Sequence, residues 1–101
     1  MKIGVLAGTN RKAIVISFKT GFYRDYESKL LISYETPVAF VIDGSGFVSD
    51  KEWSKTTKRH IRKFFTEERV KTHSVVNKRR LDNFLSRISV DFDDLLVTFN
   101  Q

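Results

Sequence analysis

The chain has 101 residues, 41% of them apolar and 13% aromatic, with a formal net charge of +6. That length fits one domain spanning 1–101 with a small core, and the apolar content excludes disorder throughout. The absence of cysteine excludes a disulfide framework and thiolate metal ligands.

No stretch approaches the roughly 20 apolar residues of a spanning helix. The apolar run from Ile3 to Ala7 is followed by Arg11 and Lys12, too early for a signal-peptide core. The expectation is a cytoplasmic protein without a membrane partner. Charge is uneven. Residues 1–50 carry six bases and five acids, residues 51–80 eleven and three, and residues 81–101 one and four. A basic block followed by an acidic tail is the electrostatic footprint of a phosphate-binding face. The plain alternative is a solvated surface.

In chain order, residues 2–8 and 12–18 read as strands joined by the turn Gly8-Thr9-Asn10. Residues 19–28 are polar and aromatic and read as a loop carrying Phe22, Tyr23 and Tyr26. Residues 29–35 and 38–43 are strand-like, split by Thr36-Pro37. Pro37 lacks a donor, so it belongs at an edge, a bulge or a turn. Asp43-Gly44 supplies the positive φ angles of a tight hairpin, and Gly46 is a candidate bulge.

The period then changes. Ser54 is a good N-cap with Trp53 before it, and Thr57, Ile61, Phe64 and Phe65 recur at helical spacing. The spacing predicts a helix from Ser54 to about Glu67, with bases on its other side. Lys71 to Ser74 reads as a short connection, with Ser74 a second cap. Leu81, Phe84, Leu85 and Ile88 form the stripe of a second helix, with Lys78, Arg79 and Arg80 in its first half. Residues 89–101 fit a strand through Val90 and Phe92 or a short capped helix through Asp91 and Asp94, and the helix is the reading adopted. The expected fold class is α+β: an N-terminal, mostly antiparallel sheet of four or five strands packed by two or three C-terminal helices.

Ser33, Tyr34, Thr36, Pro37, Val38 and Ala39, followed by a hairpin and then Trp53, Ser54, Thr56, Thr57, His60 and Ile61, form a pattern. It resembles that of a family of small, largely uncharacterised bacteriophage-encoded proteins. The pattern is Ser-Tyr-x-Thr-Pro-Val-Ala, a short hairpin, then aromatic-Ser-x-Thr-Thr-x-x-His opening a helix. Trp53 stands where the family has Tyr. The likeness covers about Leu30 to Phe65. It implies a phage or prophage origin and a host bacterial cytoplasm. It carries no activity and no catalytic residue, and it favours host-directed roles.

Chemistry-bearing constellations are few. His60 and His73 have no companion ligands at metal spacing. No nucleophile elbow accompanies any Ser and His. Neither "GTNRK" nor "DGSG" has the glycine spacing of a nucleotide-phosphate loop. Asp91, Asp93 and Asp94 lack the glycine and distal glutamate of a calcium loop. The expectation is a non-enzymatic protein with no cofactor and no metal.

The basic block carries the weight. The candidate nucleic-acid or partner-binding residues are Lys55, Lys58, Arg59, Arg62, Lys63, Lys78, Arg79 and Arg80. Side-by-side helices would merge them into one surface. Tyr34, Thr56 and His60 are accessory candidates. Tyr34 with Phe40, or Phe22 with Tyr23 and Tyr26, is a candidate set for stacking bases, with core or loop packing the plainer reading. The first functional expectation is sequence-tolerant association with nucleic acid through the basic helical face. The alternative is a host-directed inhibitor, anti-defence or anti-polymerase, docking on a host protein or nucleoprotein. A third is a virion assembly protein.

Overall fold

Residues 13–16 and 30–32 are apolar on both parities, the signature of strands covered on both faces. The computed structural model describes residues 2–9, 11–20, 26–79 and 81. Its elements are β1 (Lys2–Val5), β2 (Ala13–Thr20), β3 (Tyr26–Ser33), β4 (Thr36–Ile42), β5 (Ser45–Ser49), α1 (Lys55–Glu67) and β6 (His73–Val76). They form one six-stranded sheet in the order β1-β2-β3-β4-β5-β6. The first four pairings are antiparallel. β5 and β6 run parallel, which requires a crossover, and α1 supplies it.

The architecture is α+β, as composition and pattern predict. It differs in detail, with six strands in a mixed sheet and one complete helix among the described residues. Residues 71–74 are not a plain connection: His73 and Ser74 open β6, and Ser74 is no cap. A four-residue strand carries too little period-2 signal to be read without its partner, which here is β5. The loop expected over 19–28 is shorter as well, since β2 extends to Thr20 and β3 begins at Tyr26. Phe22, Tyr23, the second half of the predicted second helix and residues 89–101 lie outside the described residues.

Two hairpins differ in how their turns are encoded. Asp43 (φ 50°) and Gly44 (φ 81°) make the expected tight turn. The turn before it is at Tyr34-Glu35, not Thr36-Pro37. Tyr34 and Glu35 both take positive φ, 50° and 67°, between the paired residues Ser33 and Thr36. The type I′ two-residue turn, which matches sheet twist, needs positive φ at both positions, and side-chain-bearing residues meet that need only at a cost. Thr36 and Pro37 lie in β4, and the ladder shifts register there: Leu31 pairs with Ala39 and Ile32 with Pro37. Pro37 therefore sits at a bulge, one of the places a residue without N–H is tolerated.

Gly46 is not a bulge. It pairs in register with Val41. A Cβ there would lie 2.7 Å from Val70 Cγ1 and 3.1 Å from both His73 Cβ and Phe65 Cε1. Close approach of α1's exit to β5 demands the glycine.

The sheet separates two apolar clusters. Ala13, Leu31, Val38, Ala39 and Val41 face Ile61, Phe64 and Phe65 of α1. Ile14, Ile16, Leu30, Ile32 and Phe40 face the other way, with Leu81 packed among them. Alternation along β2 and β3 puts these sets on opposite faces. Ser54 caps α1, accepting from Thr57 N at 3.2 Å. Trp53 packs against the first cluster, and its indole N–H finds no partner among the described residues. After β6 the chain turns to the other face: Asp50 Oδ1 accepts from Lys78 N at 3.2 Å and Asn77 O from Leu81 N at 3.2 Å. Among the described residues, no helix is long and apolar enough to cross a membrane.

Candidate functional site

α1 has two basic flanks. Its buried residues are Thr57, His60, Ile61, Phe64 and Phe65. Thr56, Arg59 and Lys63 follow one another at i+3 and i+4, so they share one flank of that stripe. Lys58 and Arg62 share the other, with Lys55 on the outer surface between the two flanks. The predicted single basic face is thus two.

Strand direction places the start of α1 beside two turns. β2 begins and β3 ends at the same end of the sheet, and β5 finishes there before leading into α1. The β1–β2 and β3–β4 turns are joined by Tyr34 N donating to Lys12 O at 2.9 Å. Between these turns and α1 lies a cleft of about 370 Å³. Its walls are Gly8, Thr9 and Lys12 on one turn, Tyr34 on the other, and Thr56, Arg59, His60 and Lys63 on the helix. Three of these eight carry full positive charge and none is a carboxylate.

The cleft is built in layers. Beneath it, behind His60 and outside its lining, Ser33 Oγ lies 2.9 Å from His60 Nδ1 and 3.2 Å from Thr57 Oγ1. This polar contact pins α1 to β3 inside an otherwise apolar interface. Tyr34 stacks on the His60 ring, centroids 5.8 Å apart and planes 29° apart. Lys12 Nζ lies 5.9 Å from the Tyr34 ring centre, a cation–π distance. Lys63 Nζ lies over Gly8, where an added Cβ would approach it to 3.2 Å. Thr9 is inward-facing: its hydroxyl donates to Leu6 O at 2.6 Å, which stabilises the turn and leaves no proton for a ligand.

Electrostatics follow from this geometry. Burial lowers the His60 pKa from 6.5, and Arg59 and then Lys12 lower it further. The helix adds to the field, because its N-terminus carries partial positive charge and no acidic residue in its first turn offsets it.

The sequence candidates separate accordingly. Arg59, Lys63, Tyr34, Thr56 and His60 line the cleft. Lys55, Lys58 and Arg62 are exposed outside it, and Lys58 Nζ pairs with Glu52 at 3.1 Å. Lys78 and Arg79 are exposed at the end of β6, and Arg80 lies outside the described residues. β6 is three strands from β3, a separation of roughly 14 Å at the usual strand spacing. Leu81 enters the face opposite α1. Lys78 and Arg79 therefore stand apart from the cleft, whose lining does not include them.

Phe40 does not join Tyr34; it is buried on the far face, stacked on Phe47 at 4.8 Å. His60, an accessory candidate by sequence, is buried at 6% exposure. Gly8, Thr9 and Lys12 are the cleft residues that sequence reading passed over. Lys12 follows the "GTNR" turn, and nothing local ties it to a helix more than forty residues away. Among the described residues no group of His, Asp and Glu is placed to hold a metal ion.

A model of a family of unknown function, DUF8033, matches residues 1–83. The match spans the stretch from Leu30 to Phe65, β1 and β2, and every residue lining the cleft. No curated protein and no solved structure matches the chain.

Proposed function

Since the chain belongs to the DUF8033 family of unknown function, we propose a function from its own residues: sequence-tolerant, non-enzymatic binding of nucleic acid. The cleft is the anchor, and the outer face of α1 is a supplementary phosphate-contacting surface. The observation that carries this reading is the convergence of Lys12, Arg59 and Lys63 on one cleft without a carboxylate.

Cations gathered around a concave surface repel one another, so the arrangement favours a polyanion. Phosphate contacts made by Lys and Arg supply most sequence-independent nucleic-acid affinity. Thr56 and Tyr34 bring hydroxyls to the same cleft, and the uncompensated start of α1 adds to its field. Lys55 on the outer surface of α1, and Arg62 on its other flank, extend the positive surface.

The alternative chemistry at the site is nucleophilic, through Ser33 and His60. Its geometry is unfavourable, because Ser33 is 2% exposed and Ser33 is not among the residues lining the cleft. Its hydroxyl serves the helix–sheet contact instead.

The test is fluorescence anisotropy with labelled single- and double-stranded DNA and RNA over a salt series. Log affinity is expected to fall linearly with log salt, with a slope of roughly 0.7–0.9 per phosphate engaged. No binding at low salt overturns the reading, and a nuclease-treated pull-down then asks for a protein target.

A further inference from the structure

The cleft gathers three side-chain cations and no carboxylate, more positive charge than one internal phosphodiester balances. Its volume of about 370 Å³ lies near the bottom of the roughly 300–1,000 Å³ typical of small-ligand sites. A volume of that order suits a single end group of a strand. Into this volume three side-chain cations project, from the β1–β2 turn (Lys12) and from α1 (Arg59, Lys63). An internal phosphodiester brings one negative charge. A terminal phosphomonoester brings about −1.5 to −2 near neutral pH and three acceptor oxygens.

The donors match the second case. Arg59 offers a planar fork suited to two oxygens of one phosphate. Lys63, one turn further along the same helix and lying against Gly8, and Lys12, on the opposite wall beside the Tyr34 ring, add point charges. Thr56 brings a further hydroxyl. His60 is not needed as a cation, because its surroundings disfavour the charged form.

We propose that the cleft between the β1–β2 turn, Tyr34 and α1 recognises the terminal phosphomonoester of a nucleic-acid strand, through Lys12, Arg59 and Lys63. This rests on the nucleic-acid reading above and makes it narrower: strand ends bearing phosphate are preferred over strand interiors.

The experiment uses the full chain and one short single-stranded oligonucleotide prepared with a 5′-phosphate, a 3′-phosphate, or hydroxyls at both ends. Competition against a labelled strand gives the three affinities. One phosphorylated form is expected to bind about tenfold or more tightly than the hydroxyl-ended form, as added charge-assisted hydrogen bonds imply. In Arg59→Gln, a change at an exposed position that leaves the core untouched, that preference is expected to collapse towards onefold. Equal affinity for all three forms overturns the end-recognition proposal and leaves the nucleic-acid reading standing. A preference that survives in both Arg59→Gln and Lys63→Gln overturns the assignment to this cleft. Failure of every form to bind overturns both.

Discussion

Ser33 Oγ on β3 and His60 Nδ1 on α1 stand 2.9 Å apart, 2% and 6% exposed. This is a buried polar joint between helix and sheet, with Thr57 Oγ1 as its third member at 3.2 Å. A hydroxyl shared by two buried partners leaves both short when it is removed. Ser33→Ala is expected to lower unfolding free energy by about 1–2 kcal/mol, read from a shift in urea midpoint. An unchanged midpoint would show that the joint contributes nothing.

The same joint sets a pH dependence. His60 is held below its usual 6.5 by burial first, then by Arg59 and Lys12. A base with a depressed folded pKa binds fewer protons than its unfolded counterpart once pH drops below 6.5. The stability contribution is therefore complete above 6.5 and is lost as pH falls through the folded value. Urea midpoints are expected to fall on going from neutral pH towards pH ~5.5. His60→Gln is expected to flatten that decline; parallel profiles for the two proteins would sink the idea.

Charge reversal separates the cleft from the rest of the basic block. Arg59→Glu with Lys63→Glu, and Lys58→Glu with Arg62→Glu, change net charge equally. The cleft pair is expected to reduce nucleic-acid affinity about tenfold more than the flank pair, and to lower the salt slope by roughly 0.7–0.9 for each phosphate no longer engaged. Equal effects from the two pairs would mean that only net charge matters.

The Tyr34-Glu35 turn stores backbone strain beside the cleft, with φ of 50° and 67°. Glycine at the second position relieves it, against a smaller loss from the freer unfolded chain. Glu35→Gly is expected to raise stability by about 0.5–1 kcal/mol. Tyr34→Asn is expected to be tolerated by the turn as well. It should weaken ligand binding, because it removes the ring that stacks on His60 and faces Lys12. Thermal unfolding and anisotropy measured on both variants check the pair of outcomes.

Gly46 offers a steric test of the crossover. Its missing Cβ leaves room for Val70, His73 and Phe65, the first only 2.7 Å from where the atom would sit. Gly46→Ala is expected to destabilise by about 1–3 kcal/mol through overpacking, seen as a lower denaturation midpoint. A neutral result would mean that the α1–β6 connection shifts freely.

Features that depend on neighbouring residues were written in the chain. Ser54 caps α1 through the amide of Thr57, and Thr57, Ile61, Phe64 and Phe65 form its buried stripe. Asp43-Gly44 closes its hairpin, because those residues accept positive φ cheaply. The uneven charge and the α+β class were legible for the same reason. Long-range pairing and packing settled the rest. β6 is a strand because β5 offers it a parallel edge, and four residues alone lack the pattern to say so. The turn at Tyr34-Glu35 has no glycine or asparagine to announce it, so only the pairing of Ser33 with Thr36 locates it. The basic block divided because β3 supports the middle of α1, which sends Arg59 and Lys63 to one flank and Lys58 and Arg62 to the other. Lys12 came to Arg59 and Lys63 only through sheet folding, since strand direction brings the β1–β2 turn and the start of α1 to the same end. A cleft assembled from distant segments has no local signature: the charges were countable in the chain, but their convergence is a property of the fold.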